Sequence, residues 1–444
     1  MRFSVLLLTG VVLAAPALAQ PHDHAASEHA GHTMPQMPGM AHDQADAPAS
    51  HAGHDMSQMA GMPMTGTLGN YPMSRDASGT SWQPDDAAHS GVHAQAGDWA
   101  LMGHLSLSGV YSNQSGARGA EKLFPAGMVM GAARRDFSEA DTLNLRLMLS
   151  PDPFMGRNGY PLLLASGETA DGSSHLVDRQ HPHDLVMEMA GSFSHKLSET
   201  DSAFLYLGYP GEPALGPPAF MHRASASANP AAPITHHWLD STHITFGVAT
   251  AGFVHDAWKV EVSQFTGREP DQFRFNFDPP KLDSTAVRLS WNPDSHWSLQ
   301  TSWGHLNSPE QLNPSEDETR ITASAQYFAR VGDESSIAAT LAWGLKDLSD
   351  GTKLHGVVLE GTFKPNDPWS VFARGEWVEN AELGPHHQVN RVGQLSLGAV
   401  HDWRLSENWK LGLGALHAFA FAPSALGYGG TPRGNMVFAR IIAE

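Results

Sequence analysis

Residues 141–150 read DTLNLRLMLS. In an extended chain Leu143, Leu145, Leu147 and Leu149 share one face, and Asn144 and Arg146 point the other way. The same period of two recurs down the chain. In AWKVEVS (257–263) Trp258, Val260 and Val262 oppose Lys259 and Glu261. In STAVRLSW (284–291) Val287, Leu289 and Trp291 oppose Arg288. In ITASAQYFAR (321–330) Ile321, Ala323, Ala325 and Tyr327 oppose Thr322, Ser324 and Gln326. In SVFARGEW (370–377) Val371, Ala373 and Trp377 oppose Arg374 and Glu376. About sixteen such segments, from 99–111 to 434–443, predict strands, each with one apolar and one polar face.

The connections decide what kind of β protein this is. Every second one is short and polar: DFSEA, LSETD, VHDA, PDS, VGDES, PNDP and LSEN. The others are mostly longer, above all 151–183, 210–240, 269–281, 379–390 and 422–433. Short turns at one rim, long loops at the other and an even strand count form the pattern of a transmembrane antiparallel up-and-down β-barrel. Trp99, Trp258, Trp297, Trp369 and Trp409 all begin strands at the short-turn rim, where a membrane interface favours tryptophan. Arg146, Glu188, Lys259, Glu261, Arg288, Glu360, Arg374 and Glu376 then face the lumen, because a cation facing lipid near the midplane costs roughly 2–4 kcal/mol. The fold class is all-β: a barrel over residues 96–444, both ends at the short-turn rim. Such barrels commonly finish on an aromatic residue, whereas this chain ends Ile442-Ala443-Glu444.

Residues 1–19 read as a secretory signal: charged Arg2, an apolar run from Val5 to Leu13 and Ala17-Leu18-Ala19 before the cut. The expected location is the bacterial outer membrane, with the short turns in the periplasm. The chain lacks cysteine, which excludes disulfides and thiolate metal sites. A formal charge of −19 disfavours nucleic acid and favours cations as partners.

Residues 20–95 have a different composition. Large branched apolar residues are almost absent, so the segment is expected to be disordered without a ligand. Within it a twelve-residue motif occurs twice: HAGHTMPQMPGM at 29–40 and HAGHDMSQMAGM at 51–62. Each copy puts a His-x-x-His pair before a Met-x-x-Met-x-x-Met run. The candidate ligands are His29, His32, Met34, Met37 and Met40, then His51, His54, Met56, Met59 and Met62. Imidazole suits Cu(II) and Zn(II), and thioether sulfur selects Cu(I). Copper in either oxidation state is the expected ligand.

A signal sequence followed by His/Met repeats and an outer-membrane barrel resembles the bacterial copper resistance protein B type. The likeness lies in the tail motif and the general architecture. It implies copper sequestration or export at the outer membrane, with the periplasmic tail capturing the metal.

Three long loops also gather histidines. The 151–183 loop ends in DRQHPHD, with Asp178, His181, His183 and Asp184. The 210–240 loop carries Met221-His222 and His236-His237, followed by Asp240 and His243. The 379–390 loop carries His386 and His387. His181, His183, His236 and His237 are candidate metal ligands, and the length of the 210–240 loop predicts that it folds into the lumen. No G-x-S-x-G elbow or H-E-x-x-H helix occurs, so an enzyme is not expected. The expected partners are outer-membrane lipid, metal ions and periplasmic copper proteins. Two rival readings remain: a general porin with an incidental tail, and an outer-membrane hydrolase.

Overall fold

A computed structural model describes residues 65–87, 91–385 and 388–443. The strands are β1 (Val92–Ala96), β2 (Trp99–Gln114), β3 (Glu121–Asp136), β4 (Asp141–Leu149), β5 (Tyr160–Thr169), β6 (His175–Gln180), β7 (Val186–Lys196), β8 (Asp201–Gly208), β9 (Val248–His255) and β10 (Trp258–Phe265). There follow β11 (Ser284–Trp291), β12 (Trp297–Leu306), β13 (Glu318–Arg330), β14 (Ser336–Leu348), β15 (Lys353–Asn366), β16 (Trp369–Asn380), β17 (Asn390–Arg404), β18 (Trp409–Phe421) and β19 (Arg433–Ala443). A single helical turn, α1, spans His236–Leu239.

Sixteen of these strands close an antiparallel barrel: β2, β3, β4, then β7 through to β19. The seam is β19 against β2, from Gly434↔Gln114 to Ala443↔Leu105. β1 continues that seam, pairing Val92↔Gly103 to Ala96↔Trp99 on the stretch of β2 beyond β19. Both β1 and β19 thus cover one edge of the same long strand, which satisfies its backbone groups.

Burial alternates in the sense opposite to a water-soluble sandwich. Along β10, Trp258, Val260 and Val262 are exposed, while Lys259, Glu261 and Ser263 are buried. The outer face carries a belt of leucine, valine and phenylalanine, and Trp258, Trp297, Trp369 and Trp409 are exposed at the short-turn rim. Trp258 stacks on Trp291 at 4.8 Å. Such a surface suits lipid on its outside.

Two features of the interior determine where the site sits. The loop between β8 and β9 folds into the lumen, as its length predicts. It is clamped there by wall charges: its Arg223 pairs with Glu360 of β15 at 2.6 Å, and with Asp240 of the same loop at 2.7 Å. Arg374 of β16 holds Glu360 at 2.8 Å and donates to Ala231 O, while Glu376 accepts from Thr235 N and Oγ1. The loop between β4 and β7 joins it, and contains the β5–β6 hairpin that strand periodicity did not reveal.

The other feature is a correction. The segment up to residue 95 was expected to be disordered, but residues 65–87 cross the short-turn mouth of the barrel. Leu68, Tyr71 and Trp82 form a small core with Phe204 and Val254 of the wall. Lys259 donates to Thr80 O, Arg288 to Thr80 Oγ1, and Arg146 to Ala77 O and Gly79 O. Three large apolar side chains and the remaining donors of the wall cations order a stretch whose average composition is polar. The strand that follows the 210–240 loop begins only at Val248, because residues 241–247 belong to the inward loop. The tail repeats, and His386 and His387, lie outside the described residues.

Leu359, at mid-strand in β15, faces outward beside Leu341. Leu359→Arg should destabilise the barrel by roughly 2–4 kcal/mol, and Leu359→Ile should have little effect. Denaturant titration in lipid vesicles checks both.

Candidate metal centre

The inward loops carry five histidines to one place. His181 and His183 arrive on the chain between β6 and β7, His236 and His237 on α1, and His243 just after it. Their rings make a contiguous cluster, with centroid separations of 5.1 Å for His183–His243, 5.2 Å for His236–His243 and 5.3 Å for His181–His237. All five are buried.

Glycines in the wall permit this placement. A Cβ on Gly344 of β14 would meet Trp238 O at 2.2 Å, and one on Gly356 of β15 would meet Trp238 Cγ at 2.7 Å. Any larger residue would push α1 and its two histidines off the wall.

His183, His236 and His243 form an all-imidazole set. One ligand nitrogen from each lies within 4.8 Å of the others. Each Nδ1 is held: His183 by Asp152 Oδ2 at 2.9 Å, His236 by Asp240 Oδ1 at 2.7 Å, and His243 by Asp240 O at 2.7 Å. Each Nε2 is buried without a hydrogen-bond partner among the described residues. A metal-binding imidazole commonly has this arrangement, one nitrogen fixed by a carboxylate or carbonyl and the other directed at the ion. An unmet buried acceptor is otherwise costly.

Electrostatics separates His236 and His243 from His237. Burial holds His236 below its ordinary value, outweighing Asp240. Burial and the adjacent rings of His183 and His236 lower His243 further. Both are therefore neutral, as a ligand must be. Asp240 stays ionised: burial opposes it, but Arg223 and His236 prevail. His237 differs. Burial works against its proton, yet Glu269, 3.4 Å away, pushes it up to about 9. His237 with Glu269 and Glu310 also satisfies the spacing for a metal, but a protonated His237 makes that group an ion-pair cluster. His181 lies between the two groups, with Nδ1 3.2 Å from Glu168 and its proton affinity lowered by burial and by His237.

Of the four barrel histidines read from sequence as ligands, all four meet in the cluster, and His183 and His236 belong to the trio. The third member, His243, stood in the same loop, and its i+7 spacing from His236 was the available signal. Asp152 gave no signal in the sequence.

The described cavity beside the trio has a volume of about 310 Å³. It is lined by His183 and Asp152 at its inner end. It also touches Ser336, Ser370 and Ile442, each at or next to a strand end on the short-turn rim.

No family model matches this chain, and no curated protein matches it. Solved structures do. OmpF of Salmonella typhi, solved with daunomycin, aligns with a TM-score of 0.50 at 9% identity, covering 79% of this chain and all of that one. An anion-selective porin from Comamonas acidovorans aligns at 0.46 and 12% identity, over 78% and 99%. OprB of Pseudomonas putida aligns at 0.48 and 9% identity, over 77% and 94%. The fold is that of a porin-like barrel; the copper-resistance likeness drawn from the tail has no counterpart among these matches.

Asp152→Asn should keep the barrel intact and weaken Zn(II) or Cu(II) binding at the trio by about 10–100-fold, read by calorimetry on protein whose tail ligands are replaced. Gly344→Ala should weaken the same binding by displacing α1.

Proposed function

We propose that this chain is an outer-membrane channel of porin type whose narrowed lumen handles a transition-metal ion, copper above all, with the tail capturing the metal in the periplasm. The observation that carries this reading is the trio His183, His236 and His243: three buried imidazoles within ligand distance of one another, oriented by Asp152 and Asp240, each with an Nε2 that no described residue hydrogen-bonds. Three protein ligands leave an open coordination position, which suits an ion that must bind and then leave.

The repeats at 29–40 and 51–62 would feed this site. They precede residue 65, where the described chain begins at the short-turn mouth, beside Arg134. Met and His ligands so close in sequence to the mouth would raise the local concentration of copper there.

A second reading is a general solute channel, favoured by the sixteen-strand porin-like closure itself. Against a wide aqueous pore stand the two inward loops and the 65–87 segment, all fixed to lumen charges. The two readings separate in proteoliposomes. For the metal channel, full-length protein should pass Cu(II) or Zn(II), His236→Ala should lose most of that flux, and steady conductance of potassium chloride should be small. Large conductance indifferent to His236 would establish the general channel instead.

A further inference from the structure

The lumen wall is not uniformly charged. Across the arc formed by β2, β3, β4 and the start of β7, a cluster of methionines stands beside the Arg146–Glu188 pair. Met128, Met148 and Met187 are buried together with Ile244, and Met130 and Met221 pack against them. Met130 pairs with Met148 across β3 and β4. Met221 reaches the group from the inward loop that carries His236 and His243, and Ile244 directly follows His243. Met128, Met130 and Met221 line the same cavity as His183.

Two explanations compete for such a patch. Methionine fills irregular gaps in cores, and a lumen packed by chance would draw on leucine, isoleucine and phenylalanine as well. Here five of the six apolar side chains in the cluster are thioethers. Three of them, Met128, Met130 and Met221, also line a cavity rather than sealing one, with Met148 and Met187 packed directly behind. Thioether sulfur is a poor partner for Zn(II) or Cu(II) and a good one for a soft monovalent d10 ion.

We propose that Met128, Met130, Met148, Met187 and Met221 form a soft-cation station for Cu(I), or its analogue Ag(I), set in series with the histidine trio. This deepens, and rests on, the reading of the barrel as a metal channel. An uncharged thioether set lowers the cost of moving a monovalent ion through a low-dielectric lumen without trapping it as a thiolate would. The cavity that reaches the short-turn rim leads past this patch to His183, so the ion meets sulfur and imidazole along one path.

The test uses the full-length chain in detergent, with the seven tail methionines from Met34 to Met64 replaced by serine and the rest as selenomethionine. Ag(I) is the probe, read at the silver edge by X-ray absorption. The expected result is selenium in the silver shell, lost in the triple variant Met128→Leu, Met148→Leu, Met187→Leu, whose apolar volume is nearly conserved. The variant's Zn(II) binding at the trio should persist, which also reports that it is folded. Silver surrounded only by nitrogen or oxygen, or selenium scattering unchanged in the triple variant, would overturn the methionine station and leave the trio standing. Failure of both Ag(I) and Zn(II) to bind the parent would remove the metal-channel reading itself.

Discussion

Charge that cannot face lipid must face inward, and charge facing inward must be paired. This constraint organises the molecule. Between the rims the outer surface is apolar, so mid-strand charges such as Lys259, Glu261, Arg288, Glu360 and Arg374 project into the lumen. Arg223, Arg288, Arg320 and Arg374 are among the most deeply buried side chains of the protein. Each is paired: Arg288 with Glu261 at 3.0 Å, Arg320 with Glu318 at 2.6 Å, and Arg223 and Arg374 with a shared Glu360. Breaking one such pair costs about 3–5 kcal/mol. Pairing within the wall is not enough, and the remaining donors take backbone and side-chain oxygens from segments that fold inward. Arg320 donates to Ser241 Oγ, Arg288 to Gly216 O and Arg374 to Ala231 O.

The candidate metal centre depends on the same network. Asp240 pairs with Arg223 on one side and orients His236 on the other, and its backbone carbonyl holds His243. One residue thereby ties the loop's anchor to two ligands. Low dielectric then acts in two directions. Where a histidine faces other imidazoles, burial keeps it neutral and available as a ligand. Where it faces Glu269, the proton stays and the histidine becomes a structural cation. Glu269 thereby gives His237 a role different from that of His181, His236 and His243 in the same cluster.

The charged staves from β10 to β16 hold the inward loops, and the methionine arc across β2, β3, β4 and β7 lies opposite this anchoring. The cavity runs beside that arc. A path lined by sulfur on one side and ending at imidazole has a chemical direction that a uniformly charged porin lumen lacks.

Alternation in DTLNLRLMLS and its repeats was sufficient to determine the strands, their inward and outward faces, the barrel and its rims, because side-chain period and lipid cost act within a single strand. The four loop histidines could be read for the same local reason: composition alone marks them. Their assembly could not be read. His183 and His243 are sixty residues apart, and Asp152 sits farther still; only the demand of wall charges for partners folds their loops to a common point. The ordering of residues 65–87 was hidden in the same way, since Tyr71 and Trp82 find their core only when β8 and β9 have closed around the mouth. Local periodicity therefore decided the cylinder, and long-range pairing inside a low-dielectric lumen decided what fills it.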